Sequence, residues 1–170
     1  RELEFKNLVD DLQAKKGSWD ALKVPEEVSA ELEDLRMLKP SKIQNASIPI
    51  IMDSSDNFLF QAKNGSGKTL SFGIPSIMKI DQSNPACQVL IIANTRGYPL
   101  GLEVINRVSK RTKITTLIGD TDTPVEGGQI IVTTPNWVKN RISKRKPLNL
   151  SSLKMIVYDE ADEIFLQASN

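Results

Sequence analysis

The sequence contains no histidine and one cysteine, Cys87, among its 170 residues. The absence of histidine excludes imidazole-based acid–base chemistry, so any general base must be a carboxylate or a lysine. It also excludes zinc sites, because a single thiol provides too few ligands. One cysteine cannot form an intramolecular disulfide, which is typical of a reducing compartment. We therefore expect an intracellular protein of the cytoplasm, the nucleus or both.

Aromatic residues make up only 5% of the sequence, and the formal net charge is +1. Extensive stacking of bases on aromatic side chains is therefore not expected, and any nucleic-acid binding must use a local basic patch. The longest apolar runs fall far short of the roughly 20 residues that cross a bilayer. Residues 1–4 are not a signal peptide. We expect no membrane segment, and we expect residue 1 to lie inside a longer protein, because it is not Met.

The apolar pattern changes near residue 57. Before it, the periodicity predicts helices over residues 3–16, 25–35 and 41–52. After it, short apolar runs are predicted to be strands at 57–62, 88–93, 114–118, 129–133 and 154–158. Helical stretches separate them at 67–80, 98–111 and 135–145. This alternation predicts βαβ units in an open, mostly parallel α/β sheet with helices on both faces, whose carboxyl strand ends carry the chemistry.

A glycine-rich turn follows the first predicted strand and leads into a helix. Its glycines allow positive φ, so that backbone N–H groups and the positive end of the helix hold phosphates. Lys68 neutralises phosphate charge, and Thr69 offers a hydroxyl to Mg2+. The alternative, an incidental lysine beside a turn, is disfavoured by the strand-before and helix-after context. The predicted nucleotide-binding residues here are Ala62, Lys63, Asn64, Gly65, Ser66, Gly67, Lys68 and Thr69.

A group of acidic residues follows the last predicted strand. Asp159 is predicted to hold Mg2+ together with Thr69, and Glu160 to position or deprotonate the attacking water. Asp162 is expected to anchor local structure or to contact a neighbouring domain. Acidic residues also favour helix N-termini for dipole reasons alone, which is the alternative explanation. With the phosphate loop present, we predict Lys68, Asp159 and Glu160 to be the catalytic set.

With these two motifs in place, the chain resembles the DEAD-box RNA helicases. Its Asp-Glu-Ala-Asp run at 159–162 and its alanine-first phosphate loop both match that family. The resemblance implies a RecA-like phosphate-loop NTPase domain over residues 17–170, preceded by a helical extension at 1–16. It also implies ATP and Mg2+ as cofactors, with Gln44 reading the adenine edge and Trp19 covering adenine. A solvated helix glutamine is the alternative for Gln44.

The resemblance also implies RNA contacts in the loops that follow the strands. The matching residues, which would contact phosphates and 2′-hydroxyl groups, are Thr95, Arg96, Gly119, Thr134 and Pro135. The sequence departs from the family pattern at 97–99 and at 136–137, and Asn136 and Trp137 could simply start a helix. A basic helix end is either a solvated face or a phosphate-steering patch; it comprises Lys139, Arg141, Lys144, Arg145 and Lys146.

For the whole protein, the resemblance implies ATP-driven, sequence-independent separation of RNA duplexes. A second RecA-like domain would supply arginines to the ATP site, and this fragment alone would be nearly inactive. The adenine-reading segment at 39–44 is similar to the mRNA-export branch, in which a regulatory protein partner is expected. Residues 3–16 are either an autoinhibitory element or a helix packed on the domain. The competing hypotheses are another phosphate-loop phosphotransferase and a non-catalytic homologue that has lost RNA binding.

The resemblance further implies that the chain stops before the family's Ser-Ala-Thr motif. The strand leading to that motif lies between the phosphate-loop strand and the acidic strand in related sheets. We therefore expect a gap in the sheet, with unpaired backbone groups. Further sequence, a second chain or re-pairing of the sheet could each close it.

Overall fold

The computed structural model describes residues 17–63, 65–120, 126–143 and 147–168. The predicted helix at 3–16 lies outside them, as do Asn64, Lys144, Arg145 and Lys146. The described elements are α1 (Glu26–Asp34), α2 (Lys42–Asp53), α3 (Lys68–Met78), β1 (Val89–Ile92), α4 (Tyr98–Val108), β2 (Thr116–Gly119), β3 (Ile130–Thr133), α5 (Pro135–Ile142), β4 (Met155–Tyr158) and α6 (Ala161–Ala168). Each predicted helix in these ranges is confirmed to within a few residues, and α6 was not predicted.

The strands form a four-stranded sheet in the order β2-β3-β1-β4. Every pair is parallel, which confirms the predicted α/β class. Ile92 lies opposite Thr133 on one side and Tyr158 on the other, while Gly119 also lies opposite Thr133. All four strands therefore end in one row, and the loops that follow them emerge at the same edge.

Helices cover both faces of the sheet, and β1 shows this most clearly. Val89 and Ile91 belong to one buried apolar cluster, with side chains from α1, α2, α3 and α4. Leu90 and Ile92 belong to a second cluster, with Trp137 of α5 and Ile164 of α6. Successive side chains of a strand point to opposite faces, so an all-apolar run such as 89–92 is what a doubly covered strand requires.

The N-terminus of α2 has a reciprocal cap. Ser41 Oγ accepts a hydrogen bond from the Gln44 backbone N–H at 3.4 Å, and Gln44 Oε1 accepts one from the Ser41 N–H at 2.8 Å. This pair satisfies two of the donors that every helix start leaves open. The cap fixes where α2 begins and where its Gln44 side chain lies.

The prediction of a strand over residues 57–62 is wrong. No strand is assigned there, and the Phe58 and Leu59 side chains are 38% and 72% exposed. Among the described residues β4 pairs only with β1. Strand structure needs a neighbour to complete the ladder, and an apolar run without one stays unpaired. In the described part of the chain the sheet therefore ends at β4, and no phosphate-loop strand lies on the far side of the expected gap.

The predicted start of β2 also differs. The strand begins at Thr116 rather than at residue 114. It is an edge strand, hydrogen-bonded only to β3, and most of it is half-buried.

Within the described ranges, no helix combines the length and the apolar character that a membrane span needs.

Candidate nucleotide and nucleic-acid site

The carboxyl edge of the sheet brings the predicted functional residues into one row. Asp159 follows β4, Thr134 follows β3, and Gly119 is the last residue of β2. Thr95 lies three positions beyond the end of β1, between β4 and β3 in the sheet order. The acidic residues thus lie at one end of the row and Gly119 at the other. Adjacent strands are about 4.8 Å apart, so the row is about 14 Å long.

The phosphate loop has the backbone conformation that its glycines allow. Gly65 and Gly67 have φ of 76° and 93°, which confirms their predicted positive values. Gly67 is the N-cap of α3, and no side chain caps this helix. The first N–H groups of a helix lack intrahelical partners and favour a negative ligand. The buried Ser66 Oγ has no hydrogen-bond partner among the described residues. A phosphate oxygen is a chemically suitable partner for both kinds of donor.

Gln44 contacts the phosphate loop directly. Its Nε2 donates a hydrogen bond to the carbonyl oxygen of Gly67 at 3.1 Å, and the residue is 5% exposed. It is therefore not the solvated helix glutamine of the alternative interpretation. A Cβ on Gly67 would lie 2.4 Å from Gln44 Nε2, so a larger residue there would have to displace the Gln44 side chain from this hydrogen bond. Adenine pairing by Gln44 stays a prediction.

Trp19 lies in the hydrophobic core. Its indole is 4% exposed, packs in the first apolar cluster and donates a hydrogen bond to the Met37 carbonyl oxygen at 2.7 Å. The structure does not present this ring as an open stacking surface. Its stacking on adenine stays a prediction, and it would require the ring to be uncovered.

Lys68 and Asp159 are electrostatically coupled across the site. Burial and the neighbouring Glu160 charge raise the pKa of Asp159 above its ordinary value, while the Lys68 ammonium and the Glu160 backbone N–H lower it. The Asp159 backbone N–H donates to the Ile92 carbonyl oxygen at 2.9 Å, which continues the ladder beyond β4. The Lys68 ammonium, the predicted phosphate-binding cation, therefore acts electrostatically on Asp159, the predicted metal-binding anion.

Mg2+ fits this arrangement. The described residues contain no cluster of three or more carboxylate, thiol or imidazole groups that would hold a metal ion. Mg2+ commonly takes one or two protein oxygens, with water and substrate phosphates completing its octahedral shell. The Thr69 hydroxyl and the Asp159 carboxylate offer oxygens of this kind, and their binding of Mg2+ stays a prediction. A cation there would offset the like charges of Asp159 and Glu160, whose repulsion contributes to the raised pKa of Asp159.

Glu160 has an unusual backbone and a buried partner. Its φ is 53°, a left-handed value that costs a non-glycine residue about 1–2 kcal/mol. Its carboxylate accepts a hydrogen bond from Asn94 Nδ2 at 2.8 Å. No local pattern in the sequence shows that the Asn94 amide meets residues 66 and 69 positions away.

The predicted RNA-contacting residues differ in their exposure. Thr95, Arg96 and Pro135 are exposed, whereas Thr134 is half-buried and caps α5 by accepting from the Trp137 backbone N–H. Gly119 is buried and has no side chain that could contact a ligand. Any contact at Gly119 must use its backbone.

Trp137 is a core residue that orders two of these loops. It is 9% exposed, and its indole N–H donates to the Asp120 carbonyl oxygen at 2.6 Å. A Cβ on Gly119 would lie 3.0 Å from the Trp137 ring and 2.6 Å from Thr133 Oγ1. The Arg141 guanidinium lies over the ring, 5.9 Å from its centroid. Trp137, where the sequence departs from the family pattern, therefore packs in the core as well as lying in the first turn of α5.

Comparisons with known proteins identify the family of this chain. The family model described as DEAD/DEAH box helicase matches residues 41–169 of this chain. The chain is 35% identical over 157 residues to the ATP-dependent RNA helicase DeaD of Haemophilus influenzae, covering 86% of this chain and 25% of that protein. It is 33% identical over 153 residues to the ATP-dependent RNA helicase DBP5 of Debaryomyces hansenii, covering 86% of this chain and 31% of that protein.

Solved structures show the same fold. An S. cerevisiae Dbp5 variant bound to RNA and ADP BeF3 aligns with a TM-score of 0.81 and 28% identity, over 90% of this chain and 40% of that one. A Dbp5 variant bound to Gle1 and IP6 aligns with a TM-score of 0.81 and 29% identity, over 89% and 40% of the two chains. The chain belongs to the DEAD/DEAH box helicase family and has the RecA-like fold. It spans well under half of each of these proteins.

Proposed function

We propose that the full-length protein carrying this chain is an ATP-dependent RNA helicase, and that this chain is its nucleotide-binding half. The observation that carries the proposal is the positive-φ phosphate loop at the start of α3, held by the hydrogen bond from Gln44 to the Gly67 carbonyl oxygen. Asp159 and Glu160 follow β4 at the carboxyl edge of the sheet. The carboxyl ends of three further strands continue the same edge. One edge thus holds a nucleotide site and a candidate RNA track.

In the proposed ATP site, the α3 N-terminus and Ser66 bind phosphate oxygens. Lys68 neutralises the charge of the terminal phosphates, and Gln44 holds the loop and reads the adenine edge. Thr69 and Asp159 hold Mg2+, which when bound neutralises phosphate charge. Glu160 is the proposed base: its exposed carboxylate orients the attacking water and accepts its proton. With no histidine in the sequence, a carboxylate or a lysine has to fill this role, and Glu160 is the carboxylate beside Asp159.

In the proposed RNA track, Thr95, Arg96 and Pro135 provide an exposed surface, and Thr134 and Gly119 contribute mainly backbone groups. Such contacts would hold phosphates and sugars and would not select a base sequence. Arg141 and Lys139 lie on α5, whose N-cap is Thr134, and phosphate steering by them is part of the proposal.

The partners of the full-length protein are also proposals. Dbp5 structures contain RNA in one case and Gle1 with IP6 in another. By analogy we propose RNA, a second RecA-like domain that completes the ATP site, and a regulatory protein. The similarity to DBP5 relatives supports a place in the mRNA-export branch, acting in the nucleus or cytoplasm.

The test is the ATPase rate of the full-length protein with and without RNA, in wild type, Glu160→Gln and Glu103→Gln. We expect RNA to stimulate the wild type and Glu103→Gln, whose glutamate is exposed on α4. We expect Glu160→Gln to lose most turnover while still binding nucleotide. ATPase activity without RNA stimulation and without RNA affinity would contradict the helicase proposal, and phosphoryl transfer to a small metabolite would identify a phosphotransferase. Nucleotide binding without turnover in the wild type would favour a non-catalytic homologue.

A further inference from the structure

Asn94 connects two loops of the carboxyl edge through one side chain. Its Nδ2 donates hydrogen bonds to Glu160 Oε2 at 2.8 Å and to Glu163 Oε2 at 2.5 Å. Its Oδ1 accepts from the backbone N–H groups of Arg96 at 3.0 Å and Gly97 at 2.6 Å. A carboxamide can donate two hydrogen bonds and accept two. These four partners therefore use the full hydrogen-bonding capacity of Asn94.

The Asn94 side chain is held more firmly than the groups it contacts. Asn94 is 4% exposed, whereas Glu160, Glu163 and Arg96 are exposed. An exposed glutamate otherwise samples several rotamers, and a hydrogen bond from a fixed donor to a charged oxygen limits them. Asn94 thus restricts the orientation of the Glu160 carboxylate, which would otherwise be mobile.

The loop on the other side of Asn94 is closely fitted to its oxygen. A Cβ on Gly97 would lie 3.2 Å from Asn94 Oδ1, a tight contact that glycine avoids. The Gly97 N–H also donates to the Asn94 carbonyl oxygen at 3.1 Å. A displacement of the backbone at residues 96–97 therefore acts on the Asn94 amide, and through it on Glu160.

We propose that Asn94 is a positioning residue that links the conformation of loop 94–97 to the orientation of Glu160. The inference rests on the proposed function, which gives Arg96 an RNA contact and Glu160 the attacking water. RNA bound at Arg96 then orders the loop, the loop fixes the Asn94 amide, and the amide holds Glu160. RNA stimulation of ATP hydrolysis passes partly through this side chain.

The primary test is Asn94→Asp in the full-length protein. This change keeps the Oδ1 acceptor for the backbone of 96–97 and replaces the donor with an oxygen that repels two carboxylates. Losing a hydrogen bond to a charged group corresponds to a fall of about tenfold to a hundredfold in RNA-stimulated kcat. We expect the KM for ATP to stay within about twofold, since the phosphate loop is unchanged. The stimulation ratio, kcat with RNA over kcat without it, should also fall.

Asn84→Asp is the matched control. Asn84 Oδ1 accepts from the backbone N–H two residues on, at 3.0 Å, and its Nδ2 donates to Ser152 Oγ at 3.2 Å. The substitution makes the same chemical change in a loop that precedes β1, away from the carboxyl edge. We expect kcat and the stimulation ratio of this variant to match the wild type.

A second variant separates positioning from folding. Adding Glu163→Gln to Asn94→Asp returns an amide donor to the cluster and removes one negative charge. We expect the double variant to recover part of the lost kcat and of the stimulation ratio. An Asn94→Asp kcat equal to wild type would overturn the proposal. So would a basal kcat that rises in Asn94→Asp, because Asn94 would then restrain Glu160 rather than position it.

Hydrogen exchange keeps this inference separable from the proposed function. The Glu163 and Ile164 N–H groups donate to the Glu160 carbonyl oxygen at 3.0 and 3.2 Å. We expect their exchange in the full-length protein to be faster in Asn94→Asp than in wild type, and to slow again in the double variant. Should the wild type lack RNA-stimulated ATPase, the proposed function fails and the coupling to RNA fails with it. Exchange that is unchanged by Asn94→Asp would overturn the positioning role itself.

Discussion

The Gln44 side chain and the Gly67 carbonyl oxygen are joined by a hydrogen bond of 3.1 Å, although 23 positions separate the two residues in the sequence. This bond ties the capped start of α2 to the start of α3. The phosphate loop is therefore held from outside as well as by its own glycines. A change at either residue should alter the phosphate loop without altering the acidic residues that follow β4.

Gly67→Ala should weaken nucleotide binding and reduce stability. The new Cβ would lie 2.4 Å from Gln44 Nε2, at a φ of 93°. Left-handed φ alone costs a non-glycine residue about 1–2 kcal/mol, and the contact adds to it. Equilibrium unfolding and nucleotide titration measure the two effects.

Gly65→Ala is the control for that prediction. Its φ is 76°, but a Cβ there would meet no atom within 4 Å. Gly65→Ala therefore adds the strain of a left-handed φ without a steric clash. Equal loss of stability in the two variants would show that the contact with Gln44 has no energetic role.

Gly119→Ala and Gly101→Ala should change stability in opposite directions. A Cβ on Gly119 would meet Thr133 Oγ1 at 2.6 Å and the Trp137 ring at 3.0 Å, and such overpacking costs about 1–3 kcal/mol. Gly101 lies inside α4 with no atom within 4 Å of a Cβ, so alanine should stabilise by about 0.5–1 kcal/mol. Urea unfolding measures both, and destabilisation by Gly101→Ala would contradict the helix assignment.

Arg111→Gln should destabilise the protein through Glu31. The Arg111 Nε lies 2.8 Å from Glu31 Oε1, and the Glu31 side chain is only 10% exposed. The Asp34 side chain, which Arg111 also contacts, is 64% exposed, so the loss of this contact should change the free energy of unfolding little. Arg111 is 46% exposed, but its removal leaves the mostly buried Glu31 carboxylate without this partner, which costs more than the loss of a fully exposed pair. Asp34→Asn is the control, and it should be near neutral in the same unfolding measurement.

Cys87 should be unreactive towards iodoacetamide at pH 8 in the folded protein. Burial raises the pKa of its thiol from 9.0 to about 11, and the thiolate is the reactive form. The folded state thus keeps a proton that the unfolded state loses, so the free energy of unfolding should fall as pH rises from 9.0 towards 11. This fall should be absent from Cys87→Ala, so it should remain in the difference between wild type and that variant. Rapid labelling of folded protein at pH 8 would contradict the burial.

The sequence was sufficient for most of the fold where local pattern and tertiary environment agree. The runs containing Val89 to Ile92 and Ile130 to Thr133 are apolar throughout because both faces are covered, and their strands were predicted to within a residue at each end. The run at 57–62 has a similar composition, but no strand lies beside it in the described part of the sheet. Pairing is a tertiary property, so composition alone could not exclude it.

The same distinction applies to the site. The phosphate loop and the acidic residues were identifiable because each motif is contiguous in sequence and has a fixed place beside a helix. The Asn94 contacts were not, since they join the loop between β1 and α4 to the turn after β4 and to α6. Trp19 shows the converse: a residue assigned to adenine by family resemblance is packed in the core.

The central claim is that Lys68 and Asp159 serve one nucleotide–metal centre. The most direct measurement is the affinity of the full-length protein for a non-hydrolysable ATP analogue as a function of Mg2+ concentration, in wild type, Lys68→Ala, Asp159→Asn and the double variant. Groups that share a site give non-additive effects, so we predict a loss in the double variant smaller than the sum of the single losses, and a weakened Mg2+ response in Asp159→Asn. Additive losses, together with an unchanged Mg2+ response in Asp159→Asn, would contradict the account.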